Sequence, residues 1–171
     1  LRETYEAGGK TYKPGSLIAT DFNAFMAGKH EFTALFEPTD NSSLAGYTWT
    51  RDYLVLNVME DVKNRLSVLT PGKGAWAKQD FVGAPTIGTV GVGAVDSEDS
   101  NAMWLSATDF LTPTTLSIAD LGKQPEVLKS NPVFFDGSKS VIEQHFATSK
   151  DGTKVPYFLV RPKALAFDGK A

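Results

Sequence analysis

Cysteine is absent from the 171 residues, which removes a disulfide framework, a thiolate zinc site and a cysteine nucleophile together. Histidine is nearly absent. His30 and His145 stand alone, neither within four residues of a second histidine as a helical zinc pair requires. No apolar run approaches the roughly 20 residues of a membrane-crossing helix, and Leu1 to Lys10 has neither the basic start nor the apolar centre of a signal peptide. The net charge of -3 and the scattering of 17 Lys and Arg residues offer phosphates no basic stripe. Neither a membrane nor a nucleic acid is therefore expected as a partner. The chain opens with Leu1 rather than Met, so cytoplasmic and periplasmic locations both stay open.

Helical periodicity is also scarce. The best candidate, Asp21 to Gly28 with apolar Phe22, Phe25 and Met26, is two turns long. What is present instead is β punctuation: short apolar stretches alternating in steps of two and stopping at Gly, Pro, Asp or Asn. With 42% hydrophobic and 22% charged residues, such a chain can build an ordinary globular core.

The organising signal is an internal repeat. Gly15 to Thr20, Asn64 to Leu69 and Thr114 to Ala119 resemble one another, placing Leu17, Leu66 and Leu116 about 50 residues apart. Asp52 to Asn57 and Ala102 to Ala107 precede the second and third of these at the same offset, and Phe32 to Phe36, Ala75 to Phe81 and Glu126 to Lys129 follow all three. A four-stranded antiparallel unit of this period predicts a β-propeller blade. The fold class expected is thus all-β, about two and a half blades, with Tyr53 to Leu56 as an apolar inner strand buried on both faces. The tail breaks the period: Val141 to Ser149 and Thr153 to Arg161 flank Lys150-Asp151-Gly152, where Asp-Gly predicts the positive φ angles of a tight hairpin. The predicted division is 1–40 partial blade, 41–84 and 85–131 blades, 132–140 exit linker, and 141–171 a hairpin opening a further domain.

The candidates for chemistry are weak. Asp136-Gly137-Ser138-Lys139-Ser140 lacks the second glycine of a nucleophile elbow and precedes no helix. His30 falls in a turn and His145 on an alternating strand. The acidic run Asp96 to Asn101 lacks calcium-loop spacing and reads as a solvated loop. The Gly88 to Gly93 run has only Gly91-Val92-Gly93 at dinucleotide spacing and no following helix, so its glycines are expected to allow close approach between blades. Trp49, Trp76 and Trp104 are expected in the core, packing between blades, rather than forming a stacking platform. Asn41-Ser42-Ser43 fits a glycosylation triplet too common to carry weight.

Several strings, in order, resemble the prolyl oligopeptidase family of serine peptidases: Asp61-Val62-Lys63-Asn64-Arg65-Leu66, Thr108-Asp109-Phe110-Leu111-Thr112-Pro113, and Ser149-Lys150-Asp151-Gly152-Thr153-Lys154-Val155-Pro156. The resemblance implies a seven-bladed propeller capping an α/β-hydrolase domain that cleaves short proline-containing peptides, with the propeller gating access. The family's Ser, Asp and His would follow Ala171, so the expected site inventory is catalytic none, cofactor-binding none and metal none, with no cofactor. The segment is then expected to be a non-catalytic propeller fragment whose partners are its own α/β-hydrolase domain and, through the parent enzyme, short proline-containing peptides. The alternative is a propeller module for protein interaction without activity. Either way, uncovered blade faces and strand edges are expected to drive self-association.

Overall fold

The computed structural model describes residues 1–169, so the last two residues of the predicted 141–171 segment lie outside it. The chain starts with a small hairpin, β1 (Tyr5–Ala7) and β2 (Lys10–Tyr12), then pairs β3 (Leu17–Ala19) with β4 (Thr33–Phe36) around a single short helix, α1 (Phe22–Met26). Asp21 caps that helix, its Oδ1 accepting from the Ala24 amide at 2.7 Å.

Two four-stranded antiparallel sheets follow. The first runs β5 (Ser42–Trp49), β6 (Leu54–Glu60), β7 (Lys63–Thr70) and β8 (Ala77–Asp80) in sequence order. The second runs β9 (Thr89–Ala94), β10 (Ala102–Thr108), β11 (Thr115–Asp120) and β12 (Glu126–Ser130). These are the blades that the repeat predicts. A long two-stranded hairpin, β13 (Ser140–Thr148) and β14 (Lys154–Pro162), completes the described chain.

Strand alternation decides which side chains meet. On β6 and β7, Val55, Leu66 and Val68 face the second blade and join Val90, Met103, Leu105 and Ala119 in one buried cluster. The opposite residues Leu54, Leu56 and Leu69 face the partial blade and pack with Leu17, Leu35, Phe36 and Trp76. The strand β6 is therefore buried on both sides, with Leu54, Val55 and Leu56 no more than 1% exposed. The prediction for Tyr53 to Leu56 needs one correction. It is an interior strand, paired between β5 and β7, and the edge strand β5 alternates between exposed and half-buried residues. Burial peaks in β6 and β7, where both faces are covered.

The repeat also fixes the faces. Val55, Leu66 and Val68 correspond to Trp104, Leu116 and Ile118 in the second blade. That face carries no covering sheet among the described residues, and Trp104 and Leu116 are each 39% exposed. Trp49 is exposed as well, meeting Trp76 edge-on at a centroid distance of 5.8 Å. The expectation of three core tryptophans thus fails for Trp49 and Trp104. They occupy blade faces, but no neighbouring blade covers them here.

The same uncovered face holds Gly91 and Gly93, which pair with Ser106 and Trp104 and where a Cβ would meet nothing within 4 Å. Close approach occurs at Gly88, the first glycine of the run, where φ is +109° and a Cβ would lie 2.2 Å from the Thr108 carbonyl oxygen of the same blade. No side chain fits there.

One buried polar network spans the blade junction. Asn57 donates to the Val90 carbonyl at 2.8 Å, Asn64 donates to Asn57 Oδ1 at 2.7 Å, and the Val90 amide donates to Asn64 Oδ1 at 3.1 Å. Two asparagines so satisfy both backbone groups of the first strand of the next blade, at a point where apolar contact alone would leave its register free. Replacement Asn57→Ala should lower stability by about 1–3 kcal/mol, the usual penalty for stranding buried partners. Urea denaturation would measure it against exposed Ser43→Ala, for which a change within about 0.5 kcal/mol is expected.

Candidate functional site

The part of the chain with the most functional content is one end of the two blades, where the β6–β7 turn, the β10–β11 loop and the tail hairpin meet. The β6–β7 turn has only two residues, Asp61 and Val62, between the paired Glu60 and Lys63. Both take left-handed φ angles, +47° and +58°. This is the geometry of a primed hairpin turn, which matches strand twist but normally selects Asn-Gly or Asp-Gly. The turn is anchored by Asn41, whose carbonyl accepts from the Asp61 amide at 3.0 Å and whose amide donates to Asp61 Oδ1 at 3.1 Å.

The β10–β11 loop is shaped by Asp109. Its Oδ1 accepts from the amides of Leu111 and Thr112, each at 2.7 Å, and the loop so formed presents Phe110. An aspartate bonding its own backbone two and three residues on is an ordinary turn device, here fixing an aromatic side chain.

The tail hairpin touches both features. Gln144 of β13 donates to the Asp61 carbonyl at 2.6 Å, and Phe158 of β14 packs against Phe110 at a centroid distance of 5.5 Å. Gln144 and Phe158 are register partners and share one face of the hairpin. The other face bears Glu143, His145, Tyr157 and Arg161. Arg161 forks onto the Glu143 carboxylate, its Nε donating at 3.0 Å, and lies 5.1 Å from the Phe167 ring centre. That fork holds the Glu143 carboxyl below the usual carboxylate range, with a smaller contribution from His145.

The turn joining β13 to β14 differs from the prediction. Only Gly152, at φ +87°, is left-handed; Asp151 instead accepts from the Thr153 amide at 3.0 Å. The Ser149 amide donates to the Thr153 carbonyl, so Lys150, Asp151 and Gly152 form the loop, the three residues the sequence places there. Such a turn ends in a glycine bulge and needs one positive φ. The two-residue turn with both angles positive lies at Asp61-Val62, which has no glycine to announce it.

The remaining sequence candidates are dispersed. His30 meets Phe25 edge-on at 5.4 Å near α1, whereas His145 stacks on Tyr157 and lies 3.4 Å from Glu143. Asp136 accepts from the Ser138 amide within a loop. Asp96 turns its carboxylate onto the amides of Glu98 and Asp99, and Asn101 donates to Asp52 at 2.7 Å, joining the loops at the opposite ends of β5 and β10. Asn41 of the glycosylation triplet is engaged by Asp61. Among the described residues, no group of three or more His, Cys, Asp or Glu side chains could hold a metal ion. Sequence reasoning did not pick out Gln144, Phe110 or Phe158, because nothing in their spacing reveals that the tail folds back onto the blades.

Three kinds of similarity bear on this arrangement. The family model described as "Prolyl oligopeptidase, N-terminal beta-propeller domain" matches residues 7–131. An uncharacterized peptidase of Sinorhizobium fredii is 37% identical over 166 residues, which is 95% of this chain and 23% of that protein. A prolyl endopeptidase of Elizabethkingia miricola is 39% identical over 89 residues, 50% of this chain and 12% of that one. Among solved structures, a post-proline cleaving enzyme from Rickettsia typhi superposes with a TM-score of 0.74 at 26% identity, covering 99% of this chain and 25% of that one. The chain therefore spans about a quarter or less of the length of the relatives it matches.

The Arg161 fork sets a pH expectation. Because Glu143 is depressed in the folded state, its contribution is fully present above the ordinary value of 4.5 and is lost as pH falls through the lowered value. Arg161→Ala should move the Glu143 titration upward toward 4.5, followed by carboxyl carbon NMR. An unchanged midpoint would show that the fork does not set it.

Proposed function

The chain belongs to the prolyl oligopeptidase family, residues 7–131 matching its N-terminal β-propeller domain, and on that premise we propose that it serves as the non-catalytic gate of a serine endopeptidase acting on short proline-containing peptides. The observation carrying this reading is the tail hairpin, which leaves the blades at the 132–140 linker and folds across the loops of both. A hairpin so placed is suited to joining the blades to a following α/β-hydrolase domain. The similarity to an uncharacterized peptidase and to a post-proline cleaving enzyme favours the same direction.

In this reading the chemistry lies outside the segment. A serine attacks the prolyl carbonyl, a histidine takes and returns the proton, and an acyl-enzyme is formed and hydrolysed. The blades contribute exclusion: peptides narrow enough to pass a channel or an opened domain interface reach the nucleophile, and folded proteins do not. In this reading the blades span 41–84 and 85–131 with a partial blade at 1–40, and the 141–171 segment opens the hydrolase domain.

The face of the second blade bearing Trp104 and Leu116, with Leu128 exposed on β12, is expected to be covered in the parent and sticky in isolation. The segment alone should self-associate, seen as a sedimentation coefficient rising with concentration, and Trp104→Glu with Leu116→Lys should abolish the rise. A concentration-independent monomer would remove this expectation.

The test of the main reading is cleavage by the full-length product of a short proline-containing peptide, compared with the same sequence embedded in a folded protein. Efficient cleavage of the first and at least hundredfold slower cleavage of the second is expected. Equal cleavage of both would overturn the gate, and cleavage of neither would favour an interaction module without activity.

A further inference from the structure

Val62 is the most strained residue described in the blades. Its φ of +58° is unfavourable for any residue with a Cβ and most so for a β-branched one. Such strain persists only where surrounding contacts over-determine it. Asn41 supplies two contacts to the turn from the same blade. The third comes from 83 residues away: Gln144 of the tail hairpin donates to the Asp61 carbonyl, the oxygen of the peptide joining the two left-handed residues.

That peptide unit is where the turn would relax. Turning it as both residues return to negative φ would relieve Val62 and swing the Asp61 carbonyl away from Gln144. Conversely, a hairpin seated on the blades holds the carbonyl in place. The hairpin is otherwise hydrogen-bonded to itself along its whole length, with Phe158 against Phe110 as its aromatic contact to the loop of the second blade.

We infer that the Asp61-Val62 turn is a sprung catch for the tail hairpin: docking of Gln144 holds the turn in its strained form, and release of the hairpin lets it relax. Hairpin position and turn conformation are then two readouts of one equilibrium. Strain at Val62 weakens the catch enough for it to open, where an Asp-Gly turn would hold it shut. The inference rests on the geometry of this chain and is independent of which reaction the parent carries out.

Hydrogen exchange at pH 7 on the 171-residue chain tests it, with peptides covering β13 and β14 read against β6 and β10 as internal references. Gln144→Ala should speed exchange in the hairpin about tenfold, in keeping with loss of one hydrogen bond of ordinary strength, and leave β6 unchanged. Gln144→Glu keeps the shape but removes the donor, and should behave like Gln144→Ala. Val62→Gly should slow hairpin exchange several-fold in the native background and have no effect on it in the Gln144→Ala background. Retained protection with Gln144→Glu, or an equal effect of Val62→Gly in both backgrounds, would overturn the catch.

Discussion

The burial of β6 on both faces is the constraint from which the rest of the structure follows. A sheet ordinarily presents one apolar face to a core; β6 presents Leu54 and Leu56 to one neighbour and Val55 to the other. This makes the sheet useful only as a layer in a stack, so each blade depends on the blades beside it. It also explains why the corresponding Trp104 and Leu116 remain partly exposed: the second blade carries the same two-faced design, and only one of its faces is covered here.

Apolar stacking does not by itself set register, because sliding one sheet over another exchanges similar contacts for similar contacts. The Asn57, Asn64 and Val90 network supplies the missing specificity. Its groups are satisfied in one alignment only, and any slip would bury unpaired amides. The two-residue turn at Asp61-Val62 lies between these asparagines in the chain. A tight turn keeps Asn57 and Asn64 on paired strands within reach of each other, so the strained backbone and the polar network form one unit. The hairpin contact at Asp61 then ties the blade junction to the segment beyond it.

Much of this was legible without coordinates. The 50-residue period located eight of the strands in the blades and their forerunner, all but β5 and β9 from β3 to β12, and the break in that period marked the hairpin. Where the reading failed, it failed at positions whose meaning depends on what lies opposite. Trp49 and Trp104 have the size of core residues but face open surface. Of the Gly88 to Gly93 run only Gly88 meets a close neighbour, and that neighbour is a carbonyl of its own blade. Asp151-Gly152 promises two positive φ angles and has one, whereas Asp61-Val62 has both, imposed by strand pairing and held by Asn41 and Gln144.

Local chemistry therefore determined the strands, the blade period and the absence of any cysteine-based site, because alternation, turn residues and composition act over a few neighbouring positions. Which faces are covered, how adjacent blades are locked and where the tail returns to the blades were decided by the tertiary structure alone. Those features arise between residues 26 to 83 positions apart, and a sequence does not encode such a contact in either partner separately: Gln144 and Asp61 are unremarked polar residues until the fold sets a donor 2.6 Å from a carbonyl.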